Sequence, residues 1–262
     1  MIAQLFHFYL EHAMKPLFAL SISLLATCIL MGNAQAADGA HWSYEGAHGP
    51  EHWAELDPAN AACNASKEQS PVDIKAGESL AAKLPALIFN YKSSSAEVIN
   101  NGHTVQVNLP AGSQLKVGDV SAELLQFHFH APSEERFDGK TYPMDAHLVH
   151  KTADGKLSVV AVLFKEGQEN QALKPILAAL PAAGKNHPLA TFDPAGLLPS
   201  DQRYFRFQGS LTTPPCSDGV SWQVLREPVE VSKAQIAAFR ALYPMNARPV
   251  QPLNGRVIEV SQ

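Results

Sequence analysis

Residues 126–150 read QFHFHAPSEERFDGKTYPMDAHLVH. From Gln126 to His130 the side chains alternate strictly, the period of a β-strand, so Gln126, His128 and His130 share one face. The glycine in Phe137-Asp138-Gly139-Lys140 marks a turn. A second alternating run follows it, with Asp145, His147 and Val149 on a common face. If the two runs lie antiparallel in one sheet, His147 joins His128 and His130. An isolated His-x-His is usually no more than a half-buried strand with two satisfied histidines. Three neutral imidazoles around one zinc ion are a catalytic set, because they leave a position for water and the full charge of the ion to acidify it.

The chain has 262 residues, 46% of them apolar and 17% charged, with a formal net charge of −5. These values are ordinary for a globular protein and carry no nucleic-acid signal, since no basic run breaks the pattern. The length allows one domain with a substantial core. Residues 1–36 read as an export signal: Lys15 precedes an apolar run over 17–31, and Ala34-Gln35-Ala36 supplies a small-x-small cleavage site. Glu11 and the lack of Lys or Arg over 1–13 suit a leader poorly, so Met14 is a better start. The expected mature domain is 37–262, without a stable membrane anchor; a retained anchor is the alternative.

Strand candidates follow in order at 87–91, 96–100 and 103–109, with Asn101-Gly102 as a turn before the third. The stretch 118–123 is read as preceding the strand that carries His128. Residues 157–164, LSVVAVLF, form an apolar run expected to be a central strand buried on both faces. Residues 170–180 have helical spacing interrupted by Pro175, which allows at best a short or kinked helix. Strands are expected at 204–209 and 220–225. Ser232 caps an amphipathic helix that Pro244 stops. Many short strands and few helices describe a mainly-β chain.

Beyond the three histidines stand Ser133-Glu134, Leu211-Thr212-Thr213-Pro214-Pro215-Cys216, Gln69-Ser70-Pro71-Val72-Asp73-Ile74, an opening His41-Trp42-Ser43-Tyr44 and a closing Arg248-Pro249-Val250-Gln251-Pro252-Leu253. In these the chain resembles the α-class carbonic anhydrases of exported bacterial type, from about residue 41 to the C-terminus. That family is also the reference example of a three-histidine zinc site. The resemblance implies a single domain with a central twisted, largely antiparallel sheet, a few short peripheral helices and zinc at the base of a conical cleft. It implies carbon dioxide and bicarbonate as substrate and product, Zn2+ as cofactor, and an exported, periplasmic or secreted protein.

Roles carry over residue by residue as expectations. His128, His130 and His147 are the zinc ligands. Thr212 accepts a hydrogen bond at the reacting centre and donates its own hydrogen in a hydrogen bond to Glu134. His103, in Asn100-Asn101-Gly102-His103, is the proton shuttle. Gln126, the Asn246 carbonyl and Asp145 are the outer partners of the three ligands. Val149, Val159, Leu211, Val220 and Trp222, with Thr212 and Thr213, line the substrate site. Two positions depart from the usual pattern: Asp145 stands where Glu is common, and Glu135 where His is usual after Ser-Glu. The shorter Asp145 is expected to reach its imidazole less well, and Glu135 to alter only local hydrogen bonding. Of three cysteines, Cys28 falls in the leader, and bacterial members of the family carry a bridge at the positions of Cys63 and Cys216. Two free buried thiols are the alternative. The rival functions are a non-catalytic binding protein on the same fold and a zinc esterase; no H-E-x-x-H motif supports a peptidase-like site.

Overall fold

The computed structural model describes residues 41–262; the expected leader and Cys28 lie outside the described residues. Ten strands form a continuous hydrogen-bonded path. In chain order they are β1 (Leu80–Ala82), β2 (Ser94–Asn100), β3 (Val105–Asn108), β4 (Val120–His130), β5 (Met144–Thr152), β6 (Leu157–Glu166), β7 (Lys185–Phe192), β8 (Tyr204–Ser210), β9 (Asp218–Leu225) and β10 (Glu259–Ser261). Their spatial order is β7-β2-β3-β4-β5-β6-β9-β8-β10-β1, with Leu87–Asn90, Gln114–Val117 and Val229–Val231 attached to the sides. Along the path only β6–β9 and β10–β1 are parallel. The sheet is therefore largely antiparallel, as expected.

The sheet divides two apolar clusters. On one side Val98, Val107, Phe127, Phe129, Leu148, Val160 and Val162 belong to the larger core. On the other, Val159, Ala161, Phe205, Phe207, Val220, Trp222 and Val224 form a second one. Strand β6 alternates between the two, which is why its sequence is apolar without a break. The helix Lys233–Leu242 packs Ile236 and Phe239 inward behind a capping box of Ser232 and Gln235. The helix around Pro175 is confined to Leu173–Ala178.

One local feature decides which way the histidines face. The β4–β5 ladder pairs Val149 with Gln126 but His150 with Leu124, so Leu125 is an extra residue, a β-bulge. Before it, the even residues Ala122 and Leu124 are buried; after it, the odd residues Phe127 and Phe129 are. The bulge moves the core face from even to odd positions and frees Gln126, His128 and His130 to share the opposite side. Residues 120–123 are accordingly part of the ligand-bearing strand, not a separate element before it, as the sequence had suggested. The edge strand β7 was not anticipated either. Its residues are mostly exposed and include Pro188, so it shows no burial pattern.

Candidate metal centre

His147 pairs directly with His128 across β4 and β5, and Asp145 with His130. The three imidazoles therefore occupy adjacent positions on one face. Their ring centroids are 5.1, 5.5 and 4.6 Å apart, and one nitrogen from each lies within 4.8 Å of the others. His130 and His147 are buried, while His128 is partly open.

Each ring uses one nitrogen as a donor. His128 Nδ1 donates to Gln126 Oε1 at 2.8 Å, and His130 Nδ1 to the Asn246 carbonyl at 2.7 Å. His147 Nε2 donates to Glu135 Oε2 at 3.1 Å. This leaves Nε2, Nε2 and Nδ1 available, and His130 Nε2 is buried without any hydrogen-bond partner. An orphaned buried nitrogen costs free energy unless something takes its lone pair. Three ring nitrogens converging at one point, one of them buried and unpartnered, fit a zinc ion. Burial, followed by the neighbouring rings, holds the pKa of His128 well below its ordinary value. Burial and His147 likewise bring His130 to about 4. Both rings are thus neutral, the ligating form. Burial also disfavours charge on His147, but the Asp145 and Glu135 carboxylates outweigh it and raise that pKa.

The partners of His147 correct one expectation. Asp145 Oδ2 stands 3.5 Å from Nε2 and accepts the Glu134 backbone N–H at 2.7 Å. The nearer acceptor is Glu135, which therefore does more than adjust its surroundings. The two positions that depart from the usual pattern meet at a single atom. Nothing in the sequence alone showed that 135 and 145 face the same nitrogen.

Glu134 is buried, with Oε1 accepting the Arg248 N–H at 2.8 Å. Its Oε2 lies 3.5 Å from His130 Nε2 and 3.7 Å from His147 Nδ1. Burial raises its pKa to about 7, against the pull of His147 and of the Thr212 hydroxyl, which favour the charged form. Thr212 is buried and Thr213 half-buried. Their loop is tied down by the Cys63–Cys216 disulfide and by Gln69 Nε2 donating to the Cys216 carbonyl at 3.0 Å.

The five expected wall residues gather on one side. Val159, Val220 and Trp222 are members of the second apolar cluster, and Val149 and Leu211 pack against it. The Trp222 ring meets His147 edge-on at 4.9 Å, and its Nε1 donates to the Ser210 carbonyl at 3.0 Å. Gly209 is required here, because a Cβ would fall 2.2 Å from Ser70 Oγ and 3.0 Å from Trp222.

His103 lies in a half-exposed turn ahead of β3, whose Gln106 pairs with His128. Asn101 Oδ1 accepts from the backbone N–H groups of both His103 and Thr104, at 2.9 Å each. Trp42 stacks on the His103 ring at 3.7 Å and 8°, and His41 is 5.0 Å away. Burial, then the nearby His41, lowers the His103 pKa. Asn246 connects the two regions: its Nδ2 donates to the His103 and Phe129 carbonyls, and its own carbonyl holds His130.

A family model described as eukaryotic-type carbonic anhydrase matches residues 48–262. A carbonic anhydrase of Pectobacterium atrosepticum is 43% identical over 94% of this chain and 99% of its own length. One from Neisseria gonorrhoeae is 45% identical over 93% and 97%. Among solved structures, the α-carbonic anhydrase of Thermovibrio ammonificans, in complex with the inhibitor sulfanilamide, superposes with a TM-score of 0.82. It shares 44% identity and covers 86% of this chain and all of that one. On this sheet, this histidine cluster and relatives that span almost its whole length, the chain belongs to the α-carbonic anhydrase family, zinc enzymes that hydrate carbon dioxide.

Proposed function

We propose that the chain hydrates carbon dioxide reversibly at a zinc ion held by His128, His130 and His147. The observation that carries this reading is the convergence of three ring nitrogens whose opposite nitrogens already donate to acceptors in the protein. When bound, zinc would supply a Lewis acid that lowers the pKa of water to about 7, so that a nucleophile exists at neutral pH.

The remaining work falls to the chain's own side chains. Thr212 has one hydrogen to give; directed to Glu134, it leaves Oγ1 as an acceptor only. A group seated beside the metal must then bring its own proton to Thr212, which sets its orientation and disfavours anions that lack one. The Arg248 N–H fixes Glu134 for that role. Val149, Val159, Leu211, Val220 and Trp222 offer an apolar surface against His147 for a small molecule without a dipole. His103 carries the released proton outward. It stands three residues ahead of Gln106, the cross-strand partner of His128.

A non-catalytic binding protein on the same fold is disfavoured by the retention of all three ligands with Glu134 and Thr212. Export is supported by the Cys63–Cys216 bridge, which suits an oxidising compartment, and by the leader-like residues 1–36. The test of the ligand set is His147→Ala, assayed for bound zinc and for hydration by stopped flow. Both should be lost together. Full hydration in that variant would refute the assignment.

A further inference from the structure

Glu135 and Asp145 are both fully buried, and both direct a carboxylate at His147 Nε2, at 3.1 and 3.5 Å. We propose that Glu135 is the positioning residue for His147: its carboxylate fixes the imidazole with Nδ1 toward the metal, while Asp145 is diverted to brace the Glu134 backbone. The inference rests on His147 being a zinc ligand.

Three observations carry it. The first is that the Glu135 side chain makes its single hydrogen bond to His147. Its Oε2 bonds to His147, its Oε1 has no partner, and no lysine or arginine among the described residues pairs with it. A fully buried carboxylate costs several kcal/mol unless it is compensated. The His147 N–H is its one hydrogen-bond compensation.

The second is reach. Asp145 lies two residues from His147 on the same strand face, and its Oδ2 is already engaged by the Glu134 N–H at 2.7 Å. A side chain one methylene longer could satisfy the imidazole from position 145; Asp145 stops short, and Glu135 closes the gap from the loop opposite.

The third is that the loop is fixed where it delivers Glu135. Ser133 Oγ donates to the Glu135 carbonyl and accepts from the Tyr142 N–H, each at 2.9 Å. Ser133 N donates to the Tyr142 carbonyl, and Arg136 N to that of Val72. His128 and His130 rest on neutral acceptors, so the one carboxylate hydrogen bond falls on His147. A carboxylate behind an imidazole fixes its tautomer and raises its basicity, and loss of such a partner typically weakens metal binding about 10–100-fold.

The experiment is release of zinc from the loaded protein to an excess of chelator. Glu135→Met matches the length and offers no acceptor. It should still hold one zinc at saturation but release it about 10–100 times faster than the unaltered chain. Adding Asp145→Glu to that variant should restore slow release, because the longer side chain reaches Nε2 from the other side. Release at the unaltered rate in Glu135→Met would overturn the proposal. So would failure of Asp145→Glu to restore it, which would mark the effect as one of packing. If Glu135→Met does not fold, Glu135→Gln carries the test, and unaltered release there would show that the carboxylate is not needed. His147→Ala separates the two levels: tight zinc binding in it would defeat the ligand assignment itself. Loss of zinc there, combined with unaltered release in Glu135→Met, would defeat only the role of Glu135.

Discussion

His103 and Trp42 stand face to face, and their contact shows how far single residues could be read from sequence. Strand periodicity put the three histidines on one face, whereas Glu134 and Thr212 were singled out only by resemblance to the family. The stacking of Trp42 on His103 was not legible, because it joins residues 61 positions apart through a turn and an N-terminal segment. The pairing of Glu135 with His147, 12 positions apart, was missed because Glu135 sits in the loop after His130, where no strand period says which way a side chain faces. If His103 is the proton relay, replacing it with Ala should lower kcat about tenfold or more while leaving kcat/KM for carbon dioxide nearly unchanged, because attack on the substrate precedes proton export. Small imidazole buffers should restore kcat in proportion to their concentration. Stopped-flow hydration in weak buffer checks this, and an equal fall in both parameters would point to a damaged zinc site instead.

At the scale of elements, the bulge at Leu125 governs the site. The sequence Leu124-Leu125-Gln126 places two apolar residues side by side, a break in alternation that is legible once the strand is known to run on to Val120. Read without it, residues 118–123 seemed a separate piece. Edge strand β7 left no trace because exposed strands are not selected for alternation, whereas β6, β8 and β9 were clear from their burial. Deleting Leu125 would force a choice between the core positions Ala122 and Leu124 and the metal-facing positions His128 and His130. We expect the deletion to cost at least about 3 kcal/mol, comparable to removing a large core side chain. Leu125→Ala, at a side chain 40% exposed, should cost less than about 1 kcal/mol. Denaturant unfolding of the two variants measures the difference; equal costs would mean that the bulge does not set the register.

For the molecule as a whole, the Cys63–Cys216 bridge closes 153 residues of sequence. It ties the N-terminal aromatic cluster of Trp42, Tyr44 and Trp53 to the loop that carries Thr212. In the chain-entropy picture such a loop contributes about 5 kcal/mol, an upper figure. Reduction should therefore lower the melting temperature on the order of 10 °C, and the hydration rate should fall where the Thr212 loop loosens. An unchanged melting temperature after complete reduction would remove the bridge from the account of stability. The overall architecture was legible only as many short strands. The order of the sheet, with its two parallel joins, depends on contacts between distant segments that periodicity does not encode.

One metal ion per chain is the seat of the proposed reaction. The most direct measurement is the carbon dioxide hydration rate of metal-free protein as zinc is added back in known equivalents. The rate should start near that of buffer, rise linearly and break sharply at one zinc per chain. Full activity before any zinc is added, or a break at a different ratio, would contradict it.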